Sequence, residues 1–190
     1  SSYGHNLTLG AGTASRVPAW KQSCVVGGCY DFDGVDDVIF RNAWPKEESY
    51  DELTVTFWYN KRDNGGTLIS SSDCDGCADA RTFRMWSGDS FQYAINDDSS
   101  PNLWWHSIDS WIHIALVFDG SQRESHMYWN GNEVLNDTHG FSSIFVADKA
   151  FTVGRSFNGS MDDVLVFDRV LSKEHINAIY NAGLGGNQSR

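Results

Sequence analysis

Residues 111–131 read WIHIALVFDGSQRESHMYWNG, and this stretch decides the fold class. An apolar strand runs into Asp119-Gly120, a polar turn follows, and a second strand ends at Asn130-Gly131. Gly and Asn readily take the positive φ that tight turns require. The stretch therefore predicts a β-hairpin followed directly by another tight turn.

Other segments of the chain show the same short-strand pattern. In residues 52–60, Leu53, Val55, Phe57 and Tyr59 alternate with threonines and a tryptophan, which predicts a strand with one buried face. Many short strands joined by glycine-containing turns are typical of a sandwich or barrel. The predicted strands are 30–33, 37–41, 52–60, 66–72, 81–86, 91–96, 111–118, 125–130, 150–154 and 161–168.

One helix is predicted near the end of the sequence. Ser172 can cap its N-terminus, and Ile176, Ile179 and Tyr180 share one face. Gly183 is expected to end it, because glycine suits the left-handed residue that follows a helix. The chain of 190 residues is expected to be a single domain, with 1–29 an irregular leader and 185–190 a flexible tail.

The charge balance narrows the range of partners. The chain has 25 acidic and 14 basic residues and a formal net charge of -11. Nucleic acids and anionic membranes attract basic surfaces, so neither is an expected partner. The sequence also lacks a run of about 18 apolar residues, which argues against direct membrane insertion.

The four cysteines fall into two close pairs, Cys24 with Cys29 and Cys74 with Cys77. An even number of cysteines in such a β-domain favours disulfides, hence an oxidising, extracellular or cell-surface location. We expect the local pairs 24–29 and 74–77, although four cysteines allow three connectivities. A zinc site and a redox Cys-x-x-Cys motif are the alternatives.

An ordered set of motifs resembles the laminin-G-like and pentraxin-like domains of the concanavalin A-like lectin/glucanase superfamily. That resemblance implies an all-β fold, a two-sheet antiparallel jelly-roll sandwich with one short C-terminal helix. It also implies glycan binding, adhesion or protein contact by rim loops or the concave face, often with calcium. The matching segments are Phe32-Asp33-Gly34, Thr54–Trp58, Trp111-Ile112-His113, Tyr128–Gly131, Gly154-Arg155, Phe157–Val164 and Leu171-Ser172.

The loop 70–81, SSSDCDGCADAR, is the first candidate metal site. Asp73, Asp75 and Asp79 offer the hard oxygen ligands that calcium prefers, and without a cation they would repel each other. In the pentraxin-like relatives this loop contributes to a calcium site, although their second acidic loop is shortened here, near 155–158. The alternative is a solvated acidic loop.

A second candidate calcium site joins Asp33 to Asp162 or Asp163, because their segments lie near each other in the relatives. Asp162 and Asp163 point to opposite faces of a strand, so at most one can face inward. The alternative is an aspartate that ties down a neighbouring loop by hydrogen bonds.

Two adjacent tryptophans, Trp104 and Trp105, mark a candidate glycan site in the loop 97–109. Aromatic rings surrounded by polar groups suit sugars, which present apolar C–H faces and many hydroxyls. Alternatively, one tryptophan is buried and the other covers a sheet edge. If Phe83 and Met85 are core residues, the opposite face adds further ligand-binding candidates, namely Arg84, Trp86, Gln92 and Asn96.

An enzyme is not expected. The Glu-x-Asp-x-x-Glu pattern of related glucanases is absent, no Ser-His-Asp signature is recognisable, and His113 has the apolar neighbours of a structural histidine. The expected function is an extracellular carbohydrate-binding or adhesion module, assisted by calcium, with a glycan or a cell-surface protein as partner and a larger surface protein as its setting. The alternative is a structural or protein–protein interaction domain of a cell-surface assembly without a sugar site.

Overall fold

The computed structural model describes residues 7–44, 49–63, 65–72, 79–104, 107–146 and 149–186. Within these ranges, two antiparallel sheets of seven strands each enclose one large apolar core, as the jelly-roll resemblance implies. In chain order the strands are β1 (Thr8–Leu9), β2 (Ala19–Lys21), β3 (Cys29–Asp33), β4 (Ile39–Arg41), β5 (Glu52–Lys61), β6 (Thr67–Ser72), β7 (Asp79–Ser87), β8 (Phe91–Ile95), β9 (Asp98–Ser99), β10 (Ile112–Asp119), β11 (Glu124–Trp129), β12 (Asn132–Thr138), β13 (Ala150–Val153) and β14 (Asn158–Phe167). Sheet A has the order β1-β4-β13-β6-β7-β8-β9, and sheet B has the order β12-β11-β10-β5-β14-β3-β2.

The hairpin predicted from residues 111–131 is present as β10 and β11. Leu116 lies opposite Met127, and both side chains belong to the core. Asn130 and Gly131 have φ values of 49° and 78°, as a tight turn requires. This turn leads into β12, a strand that the sequence analysis missed.

The turn between β10 and β11 differs from its prediction in one respect. The positive φ, 58°, falls on Arg123 and not on Gly120. A Cβ on Gly120 would lie 1.9 Å from the carbonyl oxygen of Ser142. Glycine is therefore required at position 120 for close packing rather than for its backbone conformation.

Residues 7–29 of the predicted irregular leader are more regular than expected, because they contain two short strands. β1 pairs with β4 at the edge of sheet A, and β2 pairs with β3 at the edge of sheet B. Two 3-10 turns, Gly10–Gly12 and Ala14–Arg16, lie between them. β1 and β2 thus add an edge strand to each sheet on one side of the sandwich, and β2 places Trp20 opposite Tyr30.

Both faces of β5 are buried, whereas the alternation predicted one. Leu53, Val55 and Phe57 face the core, but Thr56 and Trp58 on the other face are also buried. The cause is the helix α1 (Lys173–Gly186), which packs on the outer face of sheet B. Helix packing lets apolar residues occupy a strand face that would otherwise be polar.

The helix begins where predicted but continues further. The amide of His175 donates to Ser172 Oγ, as expected for an N-terminal cap. Gly183 lies inside α1 and not at its end, and a Cβ there would lie 2.6 Å from Trp58 Nε1. The predicted tail therefore starts too early, since Gly185 is helical. No helix among the described residues is long and apolar enough to cross a membrane.

Candidate binding site

The outer face of sheet A carries a row of side chains from β6, β7 and β8. Thr67 lies opposite Trp86, which lies opposite Gln92, and we call these three residues the Trp86 row. Directly opposed side chains on one face have Cβ atoms about 4.5–5.5 Å apart. Phe83 and Met85 are core residues, so Trp86 faces outward as predicted.

Arg84 packs against this row. Its guanidinium carbon lies 4.8 Å from the centroid of the Trp86 ring, and its Nη2 donates to Thr67 Oγ1 over 3.1 Å. The contact between Arg84 and Trp86 lies within β7, and the hydrogen bond to Thr67 joins β7 to β6 of the same sheet. The indole and the guanidinium are therefore held in place before a ligand arrives, which lowers the entropic cost of binding.

Trp104 is an exposed aromatic residue that follows a segment paired with β8. Leu103 exchanges two backbone hydrogen bonds with Phe91, of 2.8 and 3.0 Å, and packs against the core. Its neighbour Trp104 follows this backbone pairing and is 65% exposed. Trp105 lies outside the described residues.

Asn96 does not belong to the candidate site, contrary to the prediction. Its Nδ2 donates to the carbonyl of Ser143 over 2.7 Å, and its Oδ1 accepts from the amide of Phe145 over 3.1 Å. These bonds anchor the loop that follows β12 to the end of β8. Asn96 has a structural role that depends on a partner about fifty positions away in the sequence, which no local pattern indicates.

The accessible part of the outer face stops beside Arg84. Further along sheet A, Ser70 and Thr152 are fully buried, and their hydroxyl oxygens lie 2.6 Å apart. Their hydrogen-bonding capacity is used within the sheet. A ligand on this face is thus confined to the β7–β8 end.

Most of the predicted acidic loop, including Asp73, Cys74, Asp75 and Cys77, lies outside the described residues. Asp79 opens β7, where its backbone lies opposite Ser72. The disulfide 74–77 and a calcium ion bound by this loop stay predictions.

The proposed pairing of Asp33 with Asp163 around one ion is wrong. Asp33 lies opposite Asn158 at one end of β14, and Asp163 lies five residues further along that strand. At a rise of about 3.3 Å per residue the two are on the order of 15 Å apart. A calcium ion reaches its ligands at about 2.3–2.6 Å, so it cannot join them, and Asp162 is excluded on the same ground.

Asp162 instead ties down a neighbouring loop, the alternative considered from the sequence. Its Oδ2 accepts from the amide of Val26 over 2.7 Å, and burial raises the pKa of its carboxyl. That loop is closed by the disulfide between Cys24 and Cys29, which confirms the first predicted pair. Because both sulfurs are in the disulfide, Cys24 and Cys29 are not zinc ligands.

Asp33 belongs to a different acidic cluster, which the sequence analysis missed. One carboxylate oxygen each from Asp33, Asp36 and Asp37 lie within 4.8 Å of one another. Burial raises the pKa of Asp37, and the charges of the other two add to the rise. Oxygens at these separations can share a calcium ion, although the three supply fewer than its usual six to eight ligands. The FDGVDD spacing is the sequence signal for this cluster.

His113 is a structural histidine, as its apolar neighbours predicted. It is fully buried, with ring centroids 5.2 Å from Trp58 and 5.8 Å from Tyr180. Neither ring nitrogen has a hydrogen-bond partner among the described residues. Desolvation lowers the pKa of His113 to about 4, so the ring is neutral at pH 7.

A serine, a histidine and an aspartate do form a chain that the sequence did not reveal. His139 Nε2 lies 2.8 Å from Ser125 Oγ, and His139 Nδ1 lies 2.8 Å from Asp98 Oδ2. Ser125 is fully buried and also bonds to the hydroxyl of Tyr93 over 2.7 Å. A nucleophile must contact its substrate, so this chain serves as a polar link between the two sheets.

The comparisons with known proteins agree with this fold. A sequence profile of the concanavalin A-like lectin/glucanases superfamily matches residues 37–177. No curated protein sequence matches the chain.

Three solved structures show the same fold at low identity. The ligand-binding domain of botulinum neurotoxin serotype D, solved with N-acetylneuraminic acid, shares 14% identity, with a TM-score of 0.69 over 94% of this chain and 47% of its own. Domain 4 of the extracellular GH43 arabinanase AbnA from Geobacillus stearothermophilus, solved with arabinotriose, shares 16%, with a TM-score of 0.68 over 86% and 81%. A heptameric SAP-like pentraxin from Limulus polyphemus shares 15%, with a TM-score of 0.52 over 75% and 80%. The chain spans about half the length of the neurotoxin domain.

Proposed function

Because this chain belongs to the concanavalin A-like lectin/glucanases superfamily, we propose that it is an extracellular carbohydrate-binding or adhesion module. The observation that carries the proposal is the Trp86 row with Arg84 stacked on its indole. The exposed Trp104, whose neighbour Leu103 pairs with Phe91 of β8, adds a second aromatic ring. Two of the structures with this fold were solved with sugars, arabinotriose and N-acetylneuraminic acid, which supports the same class of ligand.

In this proposal a sugar ring lies on the outer face at the β7–β8 end. Its apolar C–H face packs on Trp86 or Trp104, since indole rings offer large apolar surfaces with little conformational freedom. The amide of Gln92 and the guanidinium of Arg84 then hydrogen-bond to hydroxyls around the ring. Arg84 carries the one positive charge among these residues, so an acidic sugar gains a charge-assisted hydrogen bond.

Calcium assistance is part of the proposal. Asp73, Asp75 and Asp79 supply the carboxylates for one ion, as the family resemblance implies, and the Asp33–Asp36–Asp37 cluster offers three more oxygens. An ion in either place stiffens a loop at the rim of the sandwich. The net charge of -11 makes binding of a cation electrostatically favourable overall.

The second candidate function is a protein-contact domain of a cell-surface assembly. The exposed apolar side chains Trp104 and Phe145, 65% and 60% accessible, also suit a protein partner. A larger parent protein fits both functions, because the neurotoxin and arabinanase neighbours are domains of longer chains.

A glycan array, probed with and without a calcium chelator, tests the proposal. We expect the wild type to bind a defined group of glycans, and Trp86→Ala and Trp104→Ala each to weaken that binding by roughly 10-fold, the effect of losing one aromatic contact. Phe145→Ala is the matched control, because it removes an equally exposed ring outside the row.

Two results would contradict the proposal. If the wild type binds no glycan at any calcium concentration, the sugar-binding function is wrong and the protein-contact function stands. If both tryptophan variants bind as well as the wild type while remaining folded by circular dichroism, the sugar site lies elsewhere.

A further inference from the structure

A cavity of about 230 Å³ opens on the side of the sandwich where β1 and β2 lie. Phe32 and Met161 from sheet B and Ile39 and Val153 from sheet A line its wall. The cavity therefore reaches between the two sheets and is mainly apolar. It is smaller than the roughly 300–1,000 Å³ of pockets for drug-sized ligands, so one small ring or a short alkyl chain fits.

Trp20 stands at the mouth of this cavity and is 60% exposed. Its ring packs directly over Gly28, where a Cβ would come within 2.1 Å of the indole. Tyr30 meets it edge-on, with ring centroids 5.0 Å apart. Glycine at position 28 thus allows a fixed orientation of the indole, and the remaining ring surface faces solvent.

Two carboxylates, Asp162 and Asp163, line the same cavity. Asp162 is occupied by the amide of Val26. Asp163 is half-buried at the β-bulge of β14, with φ of 49°, and its carboxylate has no hydrogen bond or ion pair within the described part of the chain. Burial raises the pKa of Asp163.

The charged residues that line the cavity are all acidic. Among the described residues that line the cavity there are two aspartates and no lysine, arginine or histidine. An uncompensated carboxylate in a partly desolvated place is costly, and a cation beside it removes that cost. The exposed indole of Trp20 also favours binding of a cation, because aromatic faces attract ammonium groups.

We propose that this cavity binds a small organic ammonium ion, whose apolar part enters between the sheets while its charged nitrogen lies between Asp163 and Trp20. A sugar fits this place less well, because the apolar wall leaves most hydroxyls without partners. The site is separate from the Trp86 row, since no residue of that row lines the cavity. Either proposal can therefore fail without the other.

The test is calorimetric titration of the folded chain at pH 7.5 with three probes of similar shape. They are phenethylammonium, neutral 2-phenylethanol and anionic 3-phenylpropionate. We expect phenethylammonium to bind at least 10-fold more tightly than 2-phenylethanol, and 3-phenylpropionate to bind weakest. Equal binding of the charged and neutral probes would overturn the proposal.

Single substitutions test which residues cause the preference for phenethylammonium. Asp163→Asn should weaken phenethylammonium binding at least 10-fold and leave 2-phenylethanol unchanged, and asparagine tolerates the positive φ of this position. Trp20→Ala should weaken both probes. Asp168→Asn and Phe145→Ala, at exposed positions outside the cavity, are the matched controls. Retention of cation binding by Asp163→Asn would refute the role of this carboxylate.

Nα-acetyl-lysine amide is titrated alongside to distinguish a free amine from a lysine side chain. We expect it to bind more weakly than phenethylammonium, because its amide groups are too polar for the apolar wall of the cavity. If it alone binds tightly, the cavity receives a lysine of another protein and the small-molecule proposal is wrong.

Discussion

At the scale of one residue, the burial of His113 makes the stability of the folded protein depend on pH. The ring is neutral and packed between Trp58 and Tyr180. Below pH 6.5 the unfolded chain protonates this histidine, whereas the folded chain resists protonation down to about pH 4. Its folded-state pKa is depressed, so its contribution to stability is present at neutral pH and is lost as the pH falls through this window.

We therefore expect the free energy of unfolding to fall by about 2 kcal/mol between pH 7 and pH 5 through His113 alone. His113→Phe, which keeps an aromatic ring, should lack this component. Urea unfolding at both pH values measures it as the difference between wild type and variant. His175→Gln, at an exposed histidine, is the control, and equal pH slopes for wild type and His113→Phe would contradict the assignment.

At the scale of the element, α1 explains why the outer face of sheet B is apolar. Tyr180 stacks on Trp58 at 5.5 Å between ring centroids, and Ile176 packs with Ala115 and Val117 of β10. Gly183 brings the helix backbone close to the Trp58 ring. The helix covers the outer face of sheet B, whereas the candidate sugar site lies on the outer face of sheet A.

Gly183→Ala should therefore destabilise the protein, although alanine is the better helix former. The new Cβ would lie 2.6 Å from Trp58 Nε1, and overpacking of this kind costs roughly 1–3 kcal/mol. Gly185→Ala is the matched control in the same helix, since no atom lies within 4 Å of its added Cβ. Thermal unfolding should lower the Tm for the first variant only, and equal Tm values for the two variants would disprove this packing role.

For the whole molecule, the net charge of -11 makes stability sensitive to cations. Calcium bound only by the folded state should add about 2.7 kcal/mol at a concentration of 100 Kd. For a chain of this size that raises the Tm by roughly 5–10 °C. Scanning calorimetry with calcium, with magnesium as the control, measures the effect.

Two variants separate the candidate calcium sites. Replacing Asp73, Asp75 and Asp79 by Asn should abolish the calcium-dependent rise in Tm if the loop binds the ion, whereas Asp36→Asn should abolish it if the other cluster does. A wild type whose Tm is the same in calcium and in chelator would reject calcium altogether.

Much of the fold was predictable from local pattern. The alternation in 52–60 predicted β5 correctly, and the two apolar runs within 111–131 predicted the β10–β11 hairpin correctly. The predictions that failed depend on distant partners. Asn96 was predicted to meet a ligand but instead holds the loop before Phe145, and Gly183 was predicted to end α1 but instead contacts Trp58.

The local sequence pattern by itself determined many short strands joined by turns, the capped helix and the outward position of Trp86, because side-chain alternation and turn conformation are properties of neighbouring residues. The two-sheet antiparallel architecture was implied by the family resemblance. Only the tertiary structure decided that Trp58 is buried while Trp20 and Trp104 are exposed, and that Asp33 pairs with Asn158, five residues along β14 from Asp163. The physical reason is that burial and cross-strand register depend on which distant segments pack together. A local sequence pattern does not specify those partners.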